Sequence, residues 1–254
     1  MWGTLLSGHV QWVTLLSYSI DTSRTDDRRE PAGSCRGGCD AWDKAEEQGG
    51  FFTNADARAC GVRRSLLSYH ALRGAFERPH RGVYRIRWLP ATRFDRIRAE
   101  WIFRKGDRAV VSHVSALFIL GLIDEDPGIV ELTLPRSRRG KVPAREETWR
   151  DGVRIHVPRA ELKEGEILMR EGMRVTTAVR SILDAAPWAA SPVWMEEVVR
   201  RAWEREGADL EALMIGAEDR RGRTERIVDR AVAAVAGHAA AARGTLVSAR
   251  ARRA

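Results

Sequence analysis

Two polar pairs in the C-terminal half of the chain have the side-chain types that hydrolytic catalysis uses. Ser112 and His113 supply a hydroxyl and an imidazole, and Ser181 is followed three residues later by Asp184. A serine nucleophile needs a base within hydrogen-bond reach and a third group that orients this base. Adjacent residues on a helix point about 100° apart, and Ser181 with Asp184 lacks a paired histidine. We therefore predict that these polar residues cap helices and that none of them is catalytic.

Metal-dependent and phosphate-transfer chemistry also lacks its motifs. Glu131 is the nearest acid on a predicted strand, but it is followed by Leu-Thr, without the lysine that a restriction-type nuclease requires. The run Arg138–Lys141 lacks P-loop spacing. Cys35 and Cys39 have the spacing of two zinc ligands, yet only Cys60 and scattered histidines are present to complete such a site. The sequence thus predicts a protein that is not an enzyme and that needs no metal and no cofactor.

Positive charge is concentrated in two short segments. The 254 residues include 43 Lys and Arg against 35 Asp and Glu, which gives a net charge of +8. Gly61–Trp88 holds seven arginines and one acid, and Arg220–Ala254 holds nine arginines and two acids. Focused positive charge favours a polyanionic partner. The alternative is that these arginines are only solvated surface residues.

Composition predicts a folded protein of the cytoplasm. Apolar residues make up 44% of the chain, but no apolar run approaches the roughly 18 residues of a membrane span. The odd number of cysteines, three, is typical of a reducing compartment. Residues 1–40 have no sustained periodicity, and residues 1–12 contain no basic residue of a signal peptide. We expect residues 1–40 to be a poorly ordered, dispensable leader; an amphipathic helix is the alternative.

Two short helices are predicted in the region that carries the first basic segment. Thr53 followed by Asp56 is typical of a capping box, which places a helix over Asn54–Cys60. Gly61 ends this helix, since glycine takes positive φ at low cost. A second helix follows at once over Arg63–Arg73. Two short helices joined by a tight glycine turn are typical of a helix-turn-helix.

A β-hairpin is predicted directly after these helices. Ala75–Glu77 and Val83–Trp88 are strand-like, and the Pro- and Gly-containing segment Arg78–Gly82 is predicted as their loop. The alternation in Val83–Trp88 predicts one face from Val83 to Arg87 and another from Tyr84 to Trp88. A hairpin in this position is a wing, so residues 41–90 are predicted to form a winged helix-turn-helix domain.

The periodicity of the second helix predicts which of its faces reads DNA. Leu67 and Ala71 share one face with Gly74, and His70 lies at its margin. The N-terminal end of the second helix enters the major groove in a helix-turn-helix, which makes Arg64 and Ser65 the best candidates for base contacts. The predicted contacts in this domain are Arg63, Arg64, Ser65, Ser68, Tyr69, Arg73, Arg78, His80 and Arg81. The polar loop Arg136–Arg145 adds Arg136, Arg138, Arg139 and Lys141 as phosphate contacts.

Residues 91–190 are predicted to form a larger mixed domain, so that the fold class is α+β. Helices are predicted over Ala91–Arg104 and Ser112–Leu120, and from Thr176 or Thr177 to Ala186; strands are predicted over Ile129–Leu134, Gly152–Val157 and Glu166–Arg170. A helical extension is predicted over 191–243, with helices at Pro192–Arg205, Asp209–Arg220 and Thr224–Arg243. Residues 244–254 are predicted to be a frayed basic tail.

Several segments of the sequence resemble, in the same order, the segments of one known family. They are Gly49–Ala57, Gly61–Ser65, Arg81–Arg85, Ser112–Leu117 with Gly121 and Leu122, Gly152–His156 and Val175–Asp184. Together they resemble the AbiEi-type antitoxins of type IV abortive-infection toxin–antitoxin systems, over roughly Ala41–Ala186. That family usually has an apolar residue where this chain has His70.

The resemblance implies an antitoxin of phage defence with two domains. Its winged helix would bind double-stranded operator DNA and repress its own operon, and its C-terminal domain would counter a nucleotidyltransferase-like toxin, generally without a stable complex. Operator repeats would favour two or more protomers on DNA, but the sequence does not fix the oligomeric state. Two alternatives stay open. One is a nucleic-acid-cleaving enzyme with a winged-helix targeting domain, and the other is a winged helix that contacts only protein.

Overall fold

The structure, a computed structural model, describes residues 45–104, 108–135, 148–150, 152–158 and 160–251, with the backbone alone for 148–150 and 238–251. The predicted leader 1–40 lies outside these residues. The described residues form two compact units. Residues 45–78 and 84–88 make the first, and residues 79–83 with those from 89 onward make the second.

The first unit has the element order of a winged helix. Its strands and helices are β1 (Phe51–Thr53), α1 (Asn54–Ala59), α2 (Arg64–Leu72), β2 (Phe76–His80) and β3 (Val83–Ile86), and a helical segment at 45–47 precedes them. The hairpin end of β2 and β3, residues 79–83, is grouped with the second unit. The three strands form one sheet in the order β1-β3-β2. The predicted helix-turn-helix and hairpin are therefore present.

Local sequence explains where α1 begins and ends. Thr53 Oγ1 accepts hydrogen bonds from the backbone N–H groups of Ala55 and Asp56, each at 3.2 Å. The Asp56 carboxylate accepts the Thr53 backbone N–H at 2.8 Å, which completes the predicted capping box. Gly61 ends the helix with a φ of +77°. This compact turn sets the direction in which α2 starts.

Strand β3 is buried along its whole length, which differs from the predicted alternation. Val83, Tyr84, Arg85 and Ile86 are all buried, since β3 lies between β1 and β2 in the sheet. Tyr84 stacks on Phe52 with ring centroids 5.5 Å apart. Arg85, the next residue, lies against the Phe51 ring, so successive side chains of β3 are both covered and alternation in the sequence does not become alternation in exposure.

The second unit is built on a mixed sheet of six strands. They are β4 (Val110–Val111), β5 (Val130–Thr133), β6 (Thr148–Arg150), β7 (Val153–His156), β8 (Ile167–Arg170) and β9 (Met173–Thr176). Their order is β6-β7-β5-β4-β9-β8. The pairs β5–β7 and β4–β9 are parallel, and the remaining pairs are antiparallel. With both units, the fold class is α+β, as predicted.

Among the described residues, three helices pack against this sheet or follow its strands. They are α3 (Asp95–Phe103), α4 (His113–Ile119) and α5 (Ala178–Ala185). Helix α3 packs against β4 and β5, and its Trp101 donates an indole hydrogen bond to the Ala109 carbonyl at 2.8 Å. Helices α4 and α5 pack against each other, and each follows one of the parallel strands β4 and β9. The starts of α4 and α5 are therefore brought to the same edge of the sheet.

Three further helices complete the second unit: α6 (Pro192–Glu206), α7 (Leu210–Arg220) and α8 (Gly222–Ala251). Ser191 and Asp209 cap α6 and α7 through their side chains. Helix α8 packs against both. It continues to Ala251, past the predicted end at Arg243.

Candidate nucleic-acid interface

Helix α2 has one buried face and one exposed face. Leu67 and His70 are its buried residues, and the His70 ring lies 5.9 Å from that of Phe76. The structure thus places His70 in the core of the first unit and not at the predicted margin. The exposed residues at and along the helix are Arg63, Arg64, Ser65, Tyr69, Leu72 and Arg73, with Ser68 half-buried. Five of the six predicted contacts in this segment are therefore exposed, and Ser68 is the exception.

The N-terminal end of α2 is open and positively charged. Arg63 is the N-cap residue with extended backbone, and its own side chain forms no capping hydrogen bond. The first turn contains no acid, and Arg64 is its first residue. Free backbone N–H groups and the helix dipole add to the charge of Arg63 and Arg64 at this end. An anion is the favoured ligand for such a helix end.

The other exposed arginines of the predicted interface flank this helix. Arg73 lies over the ring of Tyr69 at 5.3 Å, and Arg78 lies over the ring of Tyr84 at 5.9 Å. Neither these two nor Arg63, Arg64 and Arg81 form an ion pair with another described residue. Their charges are thus available to an anionic partner.

The wing is shorter than predicted. Arg78, Pro79 and His80, which the sequence places in the loop, belong to β2, and the turn consists of Arg81 and Gly82. Gly82 makes this two-residue turn with a φ of +86°. Arg81 is exposed at the tip of the hairpin.

His80 has partners within the second unit. Its Nε2 lies 3.0 Å from Glu100 Oε1, and its ring stacks on Phe103 with centroids 4.6 Å apart. Both contacts are made by residues of α3. The imidazole that the sequence predicts as a DNA contact is therefore engaged by protein groups.

Arg85, which belongs to the basic run, is not at the surface. It is 5% exposed, its Nη1 lies 3.8 Å from Glu77 Oε2, and its guanidinium lies over the Phe51 ring at 5.8 Å. The same carboxylate group of Glu77 also lies 3.6 Å from Arg87 Nε. The net charge of the segment therefore overstates the charge that the surface presents.

The remaining predicted contacts, Arg136, Arg138, Arg139 and Lys141, lie outside the described residues, as do Cys35 and Cys39. Where the structure describes the chain, no group of three or more His, Cys, Asp or Glu residues is placed to hold a metal ion. Within the same residues, no helix combines the length and the apolar character that crossing a membrane demands.

Ser112 and His113 meet, contrary to the prediction. Ser112 Oγ lies 2.9 Å from His113 Nδ1, because Ser112 has extended backbone and His113 has a φ of +53°, so the helical angle of 100° does not separate them. Ser112 is 0% exposed, and its Oγ accepts a hydrogen bond from Thr133 Oγ1 at 2.8 Å. A nucleophile must reach its substrate, so this buried hydroxyl joins α4 to β5 and does not form an open catalytic pair.

Glu131, and not Ser112, caps helix α4. Ser112 occupies the N-cap position without a capping hydrogen bond from its side chain, and Glu131 Oε2 accepts the Val114 backbone N–H at 3.1 Å. Glu131 Oε1 lies 3.2 Å from both Arg154 Nη1 and His156 Nε2. Burial raises the pKa of Glu131, but its bonds with His156 and Val114 and the nearby imidazoles outweigh burial, so the net pKa is lowered.

Asp184 is likewise part of a structural network. Its Oδ2 accepts a hydrogen bond from Arg180 Nε at 2.8 Å, and its Oδ1 lies 2.7 Å from Arg220 Nη2. Ser181 Oγ lies 2.7 Å from Thr176 Oγ1 and donates to the Thr177 carbonyl at 2.8 Å. Thr177 caps α5, as one of the two predicted caps. Sequence analysis missed the meeting of His113, Glu131 and His156, because strand order alone brings them together.

The comparisons with known proteins agree with the geometry of the first unit. No curated protein matches the chain at a significant level. A family model described as a transcriptional regulator, AbiEi antitoxin, matches residues 43–87. This segment includes β1, α1, α2, β2 and β3 up to the end of the hairpin. The AbiEi resemblance that the sequence predicts is therefore confirmed over residues 43–87.

Proposed function

We propose that the chain is a sequence-specific DNA-binding regulator whose helix α2 enters the major groove. The observation that carries this proposal is the exposed face of α2, which combines an open, basic N-terminal end with the hydroxyl groups of Ser65 and Ser68. In this proposal Arg64 bonds a guanine edge bidentately, and Ser65 bonds either a donor or an acceptor on a base edge. Arg63 and Tyr69 complete the surface.

Phosphate contacts position such a helix on the duplex. Arg73, Arg78 and Arg81 are exposed, and none forms an ion pair with another described residue. They are proposed to neutralise phosphates, and Arg136, Arg138, Arg139 and Lys141 of the polar loop are proposed to extend this contact. His80 is left out of the contact set, since Glu100 and Phe103 engage its ring.

We further propose that the protein is an antitoxin that represses its own operon in the cytoplasm. The family match over residues 43–87 supports an antitoxin and regulator. The resemblance of the segments between Ser112 and Asp184 to the family favours a nucleotidyltransferase-like toxin as the target. The antitoxin would counter this toxin without a stable complex. The proposal includes no cofactor and no catalytic step, and two or more protomers would bind repeated half-sites.

A titration of labelled duplex tests the proposal. The full chain is titrated onto DNA from upstream of its own coding sequence and onto a scrambled duplex, at several salt concentrations. We expect tighter binding to the upstream duplex, with a steep dependence on salt. Arg64→Ala should cost about 1–3 kcal/mol on the upstream duplex and blur the preference at one base pair.

Arg205→Ala is the matched control, because Arg205 is also exposed but lies on α6, outside both basic segments and outside the proposed contact set. It should bind the upstream duplex as the wild type does. If the wild type does not distinguish the upstream duplex from the scrambled one, the proposal of sequence-specific autoregulation is wrong. Binding to both duplexes that depends on salt but not on Arg64 would place the DNA-binding surface elsewhere.

A further inference from the structure

The exposed face of α2 is divided into a polar half and an apolar half. Arg64, Ser65 and Ser68 lie in its first half, and Tyr69 and Leu72 in its second. Leu72 is 89% exposed and Tyr69 is 50% exposed, so both side chains present apolar surface to solvent. The polar half supplies base contacts in the proposed function, but the apolar half is not explained by them.

The position of Leu72 on the helix makes it central to the face. Leu72 follows Ser65 by seven residues, which is about two helical turns, so the two side chains lie on nearly the same line. At about 100° per residue, this line lies roughly opposite the buried Leu67 and His70. When α2 lies along the major groove with Ser65 facing its floor, Leu72 faces the same floor about 10 Å further along the helix axis.

The ring of Tyr69 lies beside this line, and Arg73 covers it at 5.3 Å. The cation–π contact holds the ring on the helix surface and leaves half of its area exposed. Tyr69 and Leu72, three residues apart, are neighbours on the surface of a helix. Together they form one apolar patch at the C-terminal half of α2.

The major groove offers an apolar patch one partner. Its floor displays hydrogen-bond donors and acceptors, and the C5 methyl group of thymine is the apolar feature that distinguishes a base pair there. A leucine that replaces water over polar base edges would leave them without hydrogen bonds, whereas over a thymine methyl it buries apolar surface. The chemistry of the patch therefore selects thymine.

The charge around the patch argues against a second copy of the chain as its occupant. Helix α2 contains no acid, and Arg63, Arg64 and Arg73 surround its exposed face. Two such helices brought together would place like charges close to each other, which disfavours their association. A polyanion has the complementary charge.

We propose that Leu72, with Tyr69, contacts thymine methyl groups, so that the bound site carries thymines under the C-terminal half of α2. This inference rests on the proposed function and adds to it the base type that the patch reads. Leu72 is thereby a specificity-determining residue, and its apolar exposure is part of recognition.

The experiment begins with selection by the full chain from a duplex library with a randomised core. The enriched duplex is then synthesised with deoxyuridine in place of each thymine in turn, which removes the C5 methyl group and keeps the pairing and the O4 acceptor. Affinities of the wild type, Leu72→Ala and Tyr69→Ala are measured on every duplex. Ile215→Ala is the matched control, since Ile215 is an exposed apolar residue on α7.

We expect deoxyuridine at one or two positions to weaken wild-type binding by about fourfold per methyl group, the ratio that one buried methyl supplies. Leu72→Ala should bind the thymine duplex about that much more weakly and should no longer distinguish it from the deoxyuridine duplex. Alanine is a better helix former than leucine, so α2 should remain folded. Ile215→Ala should keep the full thymine preference.

A wild type that binds an enriched duplex specifically, but binds its deoxyuridine form equally well, overturns the thymine inference and leaves the proposed function in place. Failure to enrich any duplex overturns both. If Leu72→Ala changes the oligomeric state in sedimentation and keeps the thymine preference, the patch is a protein interface and the inference is wrong.

Discussion

The imidazole rings of His113 and His156 are stacked, with centroids 3.6 Å apart and planes within 13°. Each ring touches a different part of one polar network, since His113 contacts Ser112 and His156 contacts Glu131. Two stacked imidazolium ions would repel each other, so at least one ring is neutral in the folded protein. His113 is that ring. Burial, followed by the neighbouring His156, lowers its pKa to about 4.

The first prediction is a loss of stability as the pH falls from about 6.5 to about 4. In this range His113 binds a proton in the unfolded protein but not in the folded protein, so the free energy of unfolding rises with pH. The contribution is fully present above pH 6.5 and is on the order of 3 kcal/mol. Denaturant unfolding at several pH values measures it. His113→Asn, which tolerates the positive φ, should show a smaller slope in this window; an unchanged slope would assign the effect to other groups.

The second prediction concerns Glu131, which caps α4 and pairs with Arg154 and His156. Glu131→Gln removes the charge of a buried carboxylate, which weakens its bonds to the half-buried Arg154 and His156 and should cost about 2 kcal/mol in the free energy of unfolding. The control is Glu204→Gln, because Glu204 forms its ion pair with Arg200 at the surface of α6 and should contribute less than about 1 kcal/mol. Equal effects of the two substitutions would contradict a buried structural role for Glu131.

A third prediction is that His70→Leu stabilises the protein. The Nε2 atom of His70 is buried and has no hydrogen-bond partner among the described residues. An apolar side chain of similar size avoids this cost, so we expect a gain of about 1 kcal/mol, measured by thermal or denaturant unfolding. Burial lowers the pKa of His70, so the gain should grow as the pH falls below 6.5. DNA affinity should not change, because the ring faces the core. A destabilised His70→Leu variant would show that the imidazole makes a necessary contact.

Local signals in the sequence predicted much of the first unit, and tertiary contacts decided what they missed. Thr53 and Asp56 are three residues apart, so their capping box is visible in the sequence. Glu131 caps a helix that begins 18 residues before it, and only the pairing of β4 with β5 brings it there. Nothing local in the sequence distinguishes Arg85 from the other arginines of the basic segment. Its burial follows from Phe51 and Glu77, which the neighbouring strands β1 and β2 bring against it. Strand order is a property of the whole fold.

The last prediction compares an exposed arginine of the first basic segment with a buried one. Arg81 and Arg85 belong to the same basic run, but Arg81 is exposed at the turn of the hairpin, and Arg85 is buried against Glu77 and Phe51. A phosphate contact contributes about one unit to the slope of log affinity against log salt concentration. Arg81→Ala should therefore weaken binding to operator and scrambled duplexes about equally and reduce this slope by about one. Arg85→Met keeps a long buried side chain and should leave the slope unchanged in preparations whose circular dichroism confirms folding. If Arg85→Met lowers the slope and Arg81→Ala does not, the hairpin turn does not contact DNA and the buried arginine becomes accessible in the complex.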